Sequence, residues 1–593
     1  MDGSKIEERA AELQVDLGRR LDPVRVEGLR QPGQIRARRQ LVLALNVATV
    51  ALLLSVMVWI MSFGGFVVIE WAMLAAYALT LPWLSIGLWN SLIGLYLDLR
   101  YGAEAAGHVT PQLNRITGHE PIVAKIAIVM PLRNEDPDAS LARLQLVQQG
   151  LAATPWADRF DFHVLSDTDR PAVAEAEEAG VEAWQLEAPD ARISYRRRTE
   201  NSGYKAGNIA EFLDRCGNRY DYFLPLDADS TMGPEAILRM IRVMEVSPEI
   251  GMLQSLVTGM PSRTFFTRAF QFGMRHGMRS YTLGSAWWLA DCGPNWGHNI
   301  LIRTKPFHDN CMLPILPGRG PLSGYVMSHD QLEAVLIRRA GYEVRVIAEE
   351  SDSHEENPPS VADFIRRELR WCNGNMQYLR LVGMPGLKPV SRVQLLLAIQ
   401  MYAAAPAWML FICLGAVLAS MPSQFAGVPV WIGLSFFAVL MTLNLMPKLM
   451  GLAQVLSQRE RAQRYGGRLR VIVGGLVEIL FSSIIAPAVA FALALFIIGL
   501  FFGRRIGWEA QQRSRARLEW REAAQVLWPQ TIGGVVLTVW LSYTAVWTLP
   551  FSAPILISLA AAIPLAVMAT YPSVGQWSRA IGLFDIPEDR CGT

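Results

Sequence analysis

Two carboxylates one residue apart, Asp227 and Asp229, close an apolar run in YFLPLDADSTMG, residues 222–233. On an extended chain residues i and i+2 point the same way, so the two charges sit side by side. Such a pair at a strand end makes a hard oxygen site for Mg2+ or Mn2+, and Mg2+ is commonly held by one or two carboxylates plus phosphate oxygens. A cation there would cancel the repulsion and offset charge developing on a departing diphosphate. The plainer reading is a turn, because Asp and Ser follow strands and cap helices. A third carboxylate, Asp330, stands in SHDQLEA, residues 328–334, at the start of a helix-like stretch. It is there either as an N-cap or as a general base. In RRELRWCNGN, residues 366–375, Arg367, Arg370 and Trp371 fall at i, i+3 and i+4 and share a helix face. Two guanidiniums suit phosphate oxygens, and an indole suits the apolar face of a sugar ring. The same pattern also describes a basic helix lying on a membrane.

These residues need a frame, and residues 120–375 supply one. Short apolar strands (126–130, 161–165, 222–226, 252–257, 342–347) alternate with helix-like stretches (139–152, 171–180, 204–215, 233–246, 263–282, 330–340, 361–372). That alternation predicts an α/β domain with a mainly parallel sheet. Ligands of such sheets bind beyond the carboxyl ends of the strands. There the polar residues gather: MPLRNED after the first strand, SDTD after the second, DADS after a later one. Neither a Gly-x-Gly-x-x-Gly nor a P-loop lysine motif occurs, so a nucleotide is not held by a glycine-rich phosphate cradle.

The rest of the 593 residues is apolar. The whole chain is 51% hydrophobic and only 18% charged, which fits a membrane protein carrying a soluble domain. The net charge of +2 carries no signal for nucleic acid. The six cysteines are scattered without Cys-x-x-Cys, which excludes a zinc or redox signature and predicts free thiols in a reducing compartment. Charge-free runs at 41–62 and 71–97 precede the domain, and apolar runs resume at 393–420, 430–446, 471–503, 531–549 and 552–572. The first run starts too late and is too long for a signal peptide. Arginines crowd the segment before residue 41 and the links 448–470 and 504–527, whereas the links 64–69, 421–429 and 550–553 carry no Lys or Arg. Basic links belong inside, so the domain and both termini are expected in the cytoplasm. Residues 471–503, basic on both flanks, are then expected to cross twice with a turn near Ile485-Ala486-Pro487, giving about eight spans. The alternative is one long helix and seven. Glu478, inside this run, is either functional or reaching the interface. The expected plan is a tail over 1–40, two membrane helices over 41–97, the cytoplasmic domain over 120–375 and an interface segment over 376–392. Membrane helices over 393–503, an amphipathic cytoplasmic helix over 504–529, two more membrane helices over 530–572 and a tail over 573–593 complete it.

The motif order resembles the processive family 2 glycosyltransferases, such as bacterial cellulose synthase and hyaluronan synthase. Those enzymes carry an Asp, an Asp-x-Asp, a Thr-Glu-Asp ending in the base and a Gln-x-x-Arg-Trp. Here the order is Asp167, Asp227-x-Asp229, Ser328-His329-Asp330 and Arg367-x-x-Arg370-Trp371, with KAGN (205–208) between the first two. Ser-His in place of Thr-Glu, and Arg367 in place of Gln, depart from cellulose synthase. With DCGPNWGHN (291–299) and LSGYVMSHD (322–330), they are similar to the glucans biosynthesis glucosyltransferase H family. The resemblance implies a GT-A-type domain on a polytopic membrane bundle in the bacterial inner membrane. The donor it implies is UDP-glucose, and the product a β-glucan, β-1,2 in that family, exported as it grows. Asp167 would contact uridine, Lys205 the nucleotide, Asp227 and Asp229 the metal and diphosphate, and Arg367 and Arg370 the diphosphate. Asp330 would deprotonate the acceptor hydroxyl in a single, inverting displacement. Trp371, Cys292, Trp296 and Asn299 would neighbour the acceptor. The family also implies a periplasmic partner, its protein G. Another β-polysaccharide of the same superfamily remains the alternative product. The full set of carboxylates and arginines argues against a transporter or scaffold with an inactive domain.

Overall fold

The computed structural model describes residues 32–421, 430–504 and 517–590. Its centre is an eight-stranded sheet in the order β3-β2-β1-β4-β7-β6-β8-β5. The strands are β1 (Ile126–Leu132), β2 (Phe160–Ser166), β3 (Arg192–Arg197), β4 (Tyr222–Pro225), β5 (Ser230–Met232), β6 (Ile250–Gly259), β7 (Ile300–Arg303) and β8 (Glu343–Glu355). Pairs β1–β2, β2–β3, β1–β4 and β6–β8 are parallel. Pairs β4–β7, β6–β7 and β5–β8 are antiparallel, so the sheet is mixed rather than mainly parallel. The five expected strands are present. Of the three unforeseen ones, β3 is charged, β5 has three residues, and β7 has an apolar run of only Ile300, Leu301 and Ile302.

Alternation along β1 divides the core. Ile126, Ile128 and Met130 pack with Leu144, Val147, Trp184 and Ile241 on one face. Ala127 and Val129 pack with Ile209, Phe212, Phe223 and Leu332 on the other. Helices therefore cover both faces. The carboxyl ends of β1, β2 and β4 open on one edge, where the polar loops collect.

Among the described residues, six helices are long and apolar enough to span a membrane, with a further bent pair, Val546–Ala560 plus Ala562–Met568, angled by 67°. Contacts decide which of them cross. Gly415 packs on Met73 and the Phe411 ring lies 5.9 Å from Tyr77, while Val390 and Leu397 pack near Ile86 and Val42. Those contacts give the spans a far end near Val68 and Ala419, and a domain end near Ile86 and Val390. Trp520–Thr544 runs between the two levels, from Glu522, 2.8 Å from Arg366, to Thr544, 3.0 Å from Ser420. The bent pair returns, from Leu556 beside Ala416 to Ala566 beside Val361.

Residues 471–503 correct the expected hairpin. They form one helix, Arg468–Phe501, with Pro487 inside it. One proline removes a single N–H, and no Gly or Asn stands beside Pro487 at which an apolar chain could reverse. Nor does this helix cross. Near its start Glu478 sits 2.6 Å from Lys448 and against Gly273 of the domain helix Phe265–Leu289. Its middle packs on Val361 and Ile365, and its last turns on Cys372, Met376, Leu395 and Tyr402. Both ends thus stay at the domain level, and the helix lies across the inner ends of the spans. Among the described residues that leaves six crossings, the bent pair counted as one, where eight or seven were expected, and it puts both basic flanks on one side, as the arginine distribution requires. Glu478 is a buried ion-pair partner, not an interface residue.

The expected amphipathic helix over 504–529 falls partly outside the described residues. Its part from Trp520 onward is the domain-side end of a crossing helix. Segment 376–392 packs Tyr378, Leu381, Met384 and Leu387 into the domain core before helix Pro389–Ala419 begins. The domain is tied down at two further points. Arg39 of helix Pro32–Ser62 donates to Asp291 at 2.6 Å and to Leu289 O at 2.7 Å. After the last span, Asp585 and Asp589 pair with Arg268 at 3.1 and 3.3 Å, and Glu588 with Arg275 at 2.8 Å. A single cysteine at Leu469 and one at Phe502, each in a cysteine-free background, will react with an impermeant maleimide from the same membrane face. A cysteine at Met421 will react from the opposite face.

Candidate active site

The Asp227-Ala228-Asp229 turn follows β4 and is braced from behind. The Ser230 N–H donates to Asp227 O at 2.9 Å, Arg143 holds Ala228 O at 2.9 Å, and the Glu356 N–H holds Asp229 O at 3.1 Å. β5 then pairs with β8, so the turn is fixed on both sides. Asp229 is 5% exposed, while the Asp227 side chain is 35% exposed and faces the open edge.

Lys205 ties this turn to the rest of the pocket. Its ammonium contacts Asp227 Oδ1 and donates to Gly297 O at 2.7 Å. Burial opposes the charge, but Asp227 and Asp330 outweigh it and hold the Lys205 pKa above its ordinary value. Gly297 also meets Asp330. Its φ is +86°, and a Cβ placed there would lie 2.3 Å from Asp330 Oδ1. One residue therefore touches the base candidate on its α-carbon and the metal-side lysine on its carbonyl, and the carboxylates at 227 and 330 share one pocket. Asp330 is the first residue of helix Asp330–Arg339 and is not an N-cap, since that position is His329. Asp330 Oδ1 is buried and accepts no hydrogen bond. His329 Nδ1 lies 3.2 Å from it and 2.9 Å from Glu333 Oε1. Burial lowers the His329 pKa, but the Asp330 and Glu333 carboxylates lift it to about 9.

On the donor side Arg198 grips Asp167 with two hydrogen bonds, 2.6 and 2.8 Å, in a buried fork. Glu135 of the RNED loop enters the same edge. Burial, then Glu177 and Asp227, push its carboxyl up to about 7.

Comparison with known proteins fits this frame. Residues 127–310 match the model described as glycosyl transferase family 2, and residues 222–447 that described as glycosyl transferase family group 2. A glucans biosynthesis glucosyltransferase H from Vibrio cholerae serotype O1 is 35% identical over 89% of this chain and 74% of its own length. One from Xylella fastidiosa is 34% identical over 90% of this chain and 85% of its own. The chain belongs to the glucans biosynthesis glucosyltransferase H family. A mannosyltransferase from Pyrobaculum calidifontis, solved with GDP-Man and Mn2+, is more distant, at 14% identity and a TM-score of 0.36 over 62% of this chain and 97% of its own. The two family matches and these relatives make the chain a family 2 glycosyltransferase domain carried on long apolar helices, and the activity class is glucosyl transfer.

The helix Val361–Met376 of this glucosyltransferase divides its three marked residues. The Arg367 guanidinium stacks over Trp371 at 4.4 Å, Phe364 at 5.3 Å and Phe270 at 6.0 Å, with Glu368 at 3.4 Å. It is turned into an aromatic cage, so it braces Trp371 rather than serving the diphosphate as the sequence led us to expect. Trp371 is 43% exposed, and its carbonyl accepts from Ser328 Oγ at 3.5 Å, two residues from the base. Glu368 reaches Tyr402 of the following span at 3.2 Å.

Two of the expected acceptor residues are not at the surface of the pocket. Asn299 is 0% exposed, and its amide donates to Ser353 Oγ at 2.9 Å and to Thr231 O at 3.3 Å. Its polar groups are consumed in joining β5 to β8. Cys292 is buried beside Asp291, its carbonyl taken by Gln394 at 2.7 Å. Trp296 remains half-buried at the site, its N–H held by Gln254 at 2.9 Å. Three further histidines are held by neighbours: His298 faces Ser230 and Glu355, His308 faces Asp214, and His354 faces Asp352. Sequence reasoning did not single out Gly297, Arg198 or Glu333. Only Glu333 left a signal, the i,i+4 spacing from His329.

Two adjacent carboxylates, one open to solvent and already neutralised by an ammonium, suit a divalent cation beside a diphosphate. The substitution Gly297→Ala will cost ~1–3 kcal/mol of stability through its positive φ. It will also lower turnover by ~10²-fold through displacement of Asp330. Thermal unfolding and initial rates on the same purified protein check both.

Proposed function

We propose that this chain polymerises glucose from UDP-glucose into the β-glucan backbone of osmoregulated periplasmic glucans, and passes the chain across the bacterial inner membrane. The reading rests on Gly297, which puts the Asp330 carboxylate and the Lys205–Asp227 pair in one pocket. Asp167 with Arg198 receives the nucleoside end of the donor. Asp227 and Asp229 hold the Mg2+ or Mn2+, with Lys205 beside them and Arg370 on the helix above. That cation, when bound, offsets charge on the departing diphosphate. Trp371 and Trp296 offer aromatic faces to the acceptor sugar. Asp330 takes the acceptor hydroxyl proton, through the part of its carboxylate that stays open, its side chain being 30% exposed. One base and no nucleophile give single displacement and inversion, from an α-linked donor to a β-linkage.

The chain leaves along the bundle. Glu368 and Tyr402 join the acceptor helix to the span Pro389–Ala419, at the domain end of the membrane helices. The domain side is the cytoplasm, as the arginine-rich flanks require. A periplasmic glucan-biosynthesis protein G is the partner on the far side.

Membranes supplied with radiolabelled UDP-glucose and Mg2+ will yield a polymer cleaved by a β-1,2-specific glucanase. Cleavage only by a cellulase, or no incorporation of glucose, would sink this reading. The substitution Asp330→Asn will lower turnover by at least ~10²-fold while UDP-glucose binding persists. Chelation will stop incorporation, and added Mg2+ or Mn2+ will restore it.

A further inference from the structure

The departure of Ser328-His329-Asp330 from a Thr-Glu-Asp motif acquires a physical meaning in the fold. His329 and Glu333 are 7% and 5% exposed, and with Asp330 their ligand atoms lie within 4.8 Å of one another. Two carboxylates that close do not both ionise unaided. A protonated Asp330 could not accept a proton from a sugar hydroxyl. Lys205 is engaged by Asp227 and Gly297 O. Among the described residues, His329 is the cation in ion-pair contact with both Asp330 and Glu333. Asn295 keys the pair to the same corner: its amide reaches Glu333 Oε2 at 3.4 Å, and its Oδ1 accepts the Gly297 N–H at 2.7 Å. The groups facing the imidazole are Asp330 and Glu333 from its own helix and Lys205 from helix Tyr204–Cys216. The Tyr378 phenol lies behind them, donating to Ser328 O at 2.6 Å.

We propose that His329 and Glu333 are positioning residues for the base: Glu333 holds the imidazolium, and the imidazolium keeps Asp330 ionised and aimed at the acceptor. The proposal rests on the reading of Asp330 as the base. In the step itself the acceptor proton passes to the exposed oxygen of the Asp330 carboxylate, whose Oδ1 faces His329, and the acceptor oxygen bonds to the anomeric carbon. The bond from that carbon to the diphosphate breaks, with its electron pair leaving on UDP. His329 neither gains nor loses a proton. Its raised pKa agrees with a charge that persists through the cycle.

A double-mutant cycle tests this, because the predicted coupling has an unusual sign. His329→Gln leaves two facing carboxylates and will lower kcat by about tenfold or more, with KM for UDP-glucose within about twofold. Adding Glu333→Gln removes the competing charge and will raise kcat back by about fivefold or more. His329→Lys, which keeps a positive charge, will retain most of the rate. Losses that add, or deepen, in the double variant overturn the proposal, since a merely structural role gives that result. If His329→Gln does not reach the membrane folded, the pH–rate profile of Glu333→Gln carries the test. Its acid limb will move about one unit lower, and an unmoved or raised limb overturns the proposal. Asp330→Asn runs in parallel. Its loss of turnover keeps the assignment of the base separate from the outcome of the cycle, and its retention of turnover overturns both.

Discussion

The contact on which the rest of this structure depends is the Lys205 ammonium, lodged between the Asp227 carboxylate and the Gly297 carbonyl. It joins three elements that arrive from distant parts of the chain: a helix start, a strand end and the loop before β7. Each brings a charge or dipole that is costly to bury alone. Together they neutralise one another and leave an open face at Asp227. The sheet order explains why these parts meet. Both β1 and β7 flank β4, so the loops at this end converge where the strand direction changes.

The membrane helices serve that pocket as a foundation. Helix Arg468–Phe501 runs across the inner ends of the spans and packs along the helix that carries Arg367 and Trp371. Its exposed side, with Leu469, Leu476, Leu480 and Phe501, is apolar, whereas its inner side is buried against protein. A helix apolar on both sides meets lipid with one and protein with the other, so its outward side is not turned to water. The acceptor helix is thus clamped between a rigid domain and a slab of membrane protein. The Arg367 aromatic cage fixes Trp371 from within that clamp.

Much of this was legible in the sequence, for identifiable reasons. Asp227, Asp229 and Asp330 announced themselves because polar residues ending apolar runs have few structural motives. The strands with their own apolar runs, β1, β2, β4, β6 and β8, were readable from periodicity alone. Strands β3, β5 and β7 were not, since their pairing is imposed by neighbours. The path of residues 471–503 was misread because hydropathy reports burial in lipid or protein alike, and here one face meets each. The arginine flanks nonetheless required both ends of this run on one side, and the helix has both at the domain level. Asn299 and Cys292 were placed at the acceptor because a motif conveys proximity but not which way a side chain turns. Gly297 gave no warning at all, since a positive φ leaves no mark in a sequence beyond the glycine that permits it.

The acidic stretch after the last membrane helix has a temporal corollary. Arg268 is 2% exposed, and its carboxylate partners are Asp585 and Asp589, translated more than half a chain later. A guanidinium without counter-charge does not settle into so dry a place. The long helix Phe265–Leu289 therefore takes its final seat only after Asp585 and Asp589 have been made. A chain halted before them leaves the Arg268 guanidinium without its counter-charges.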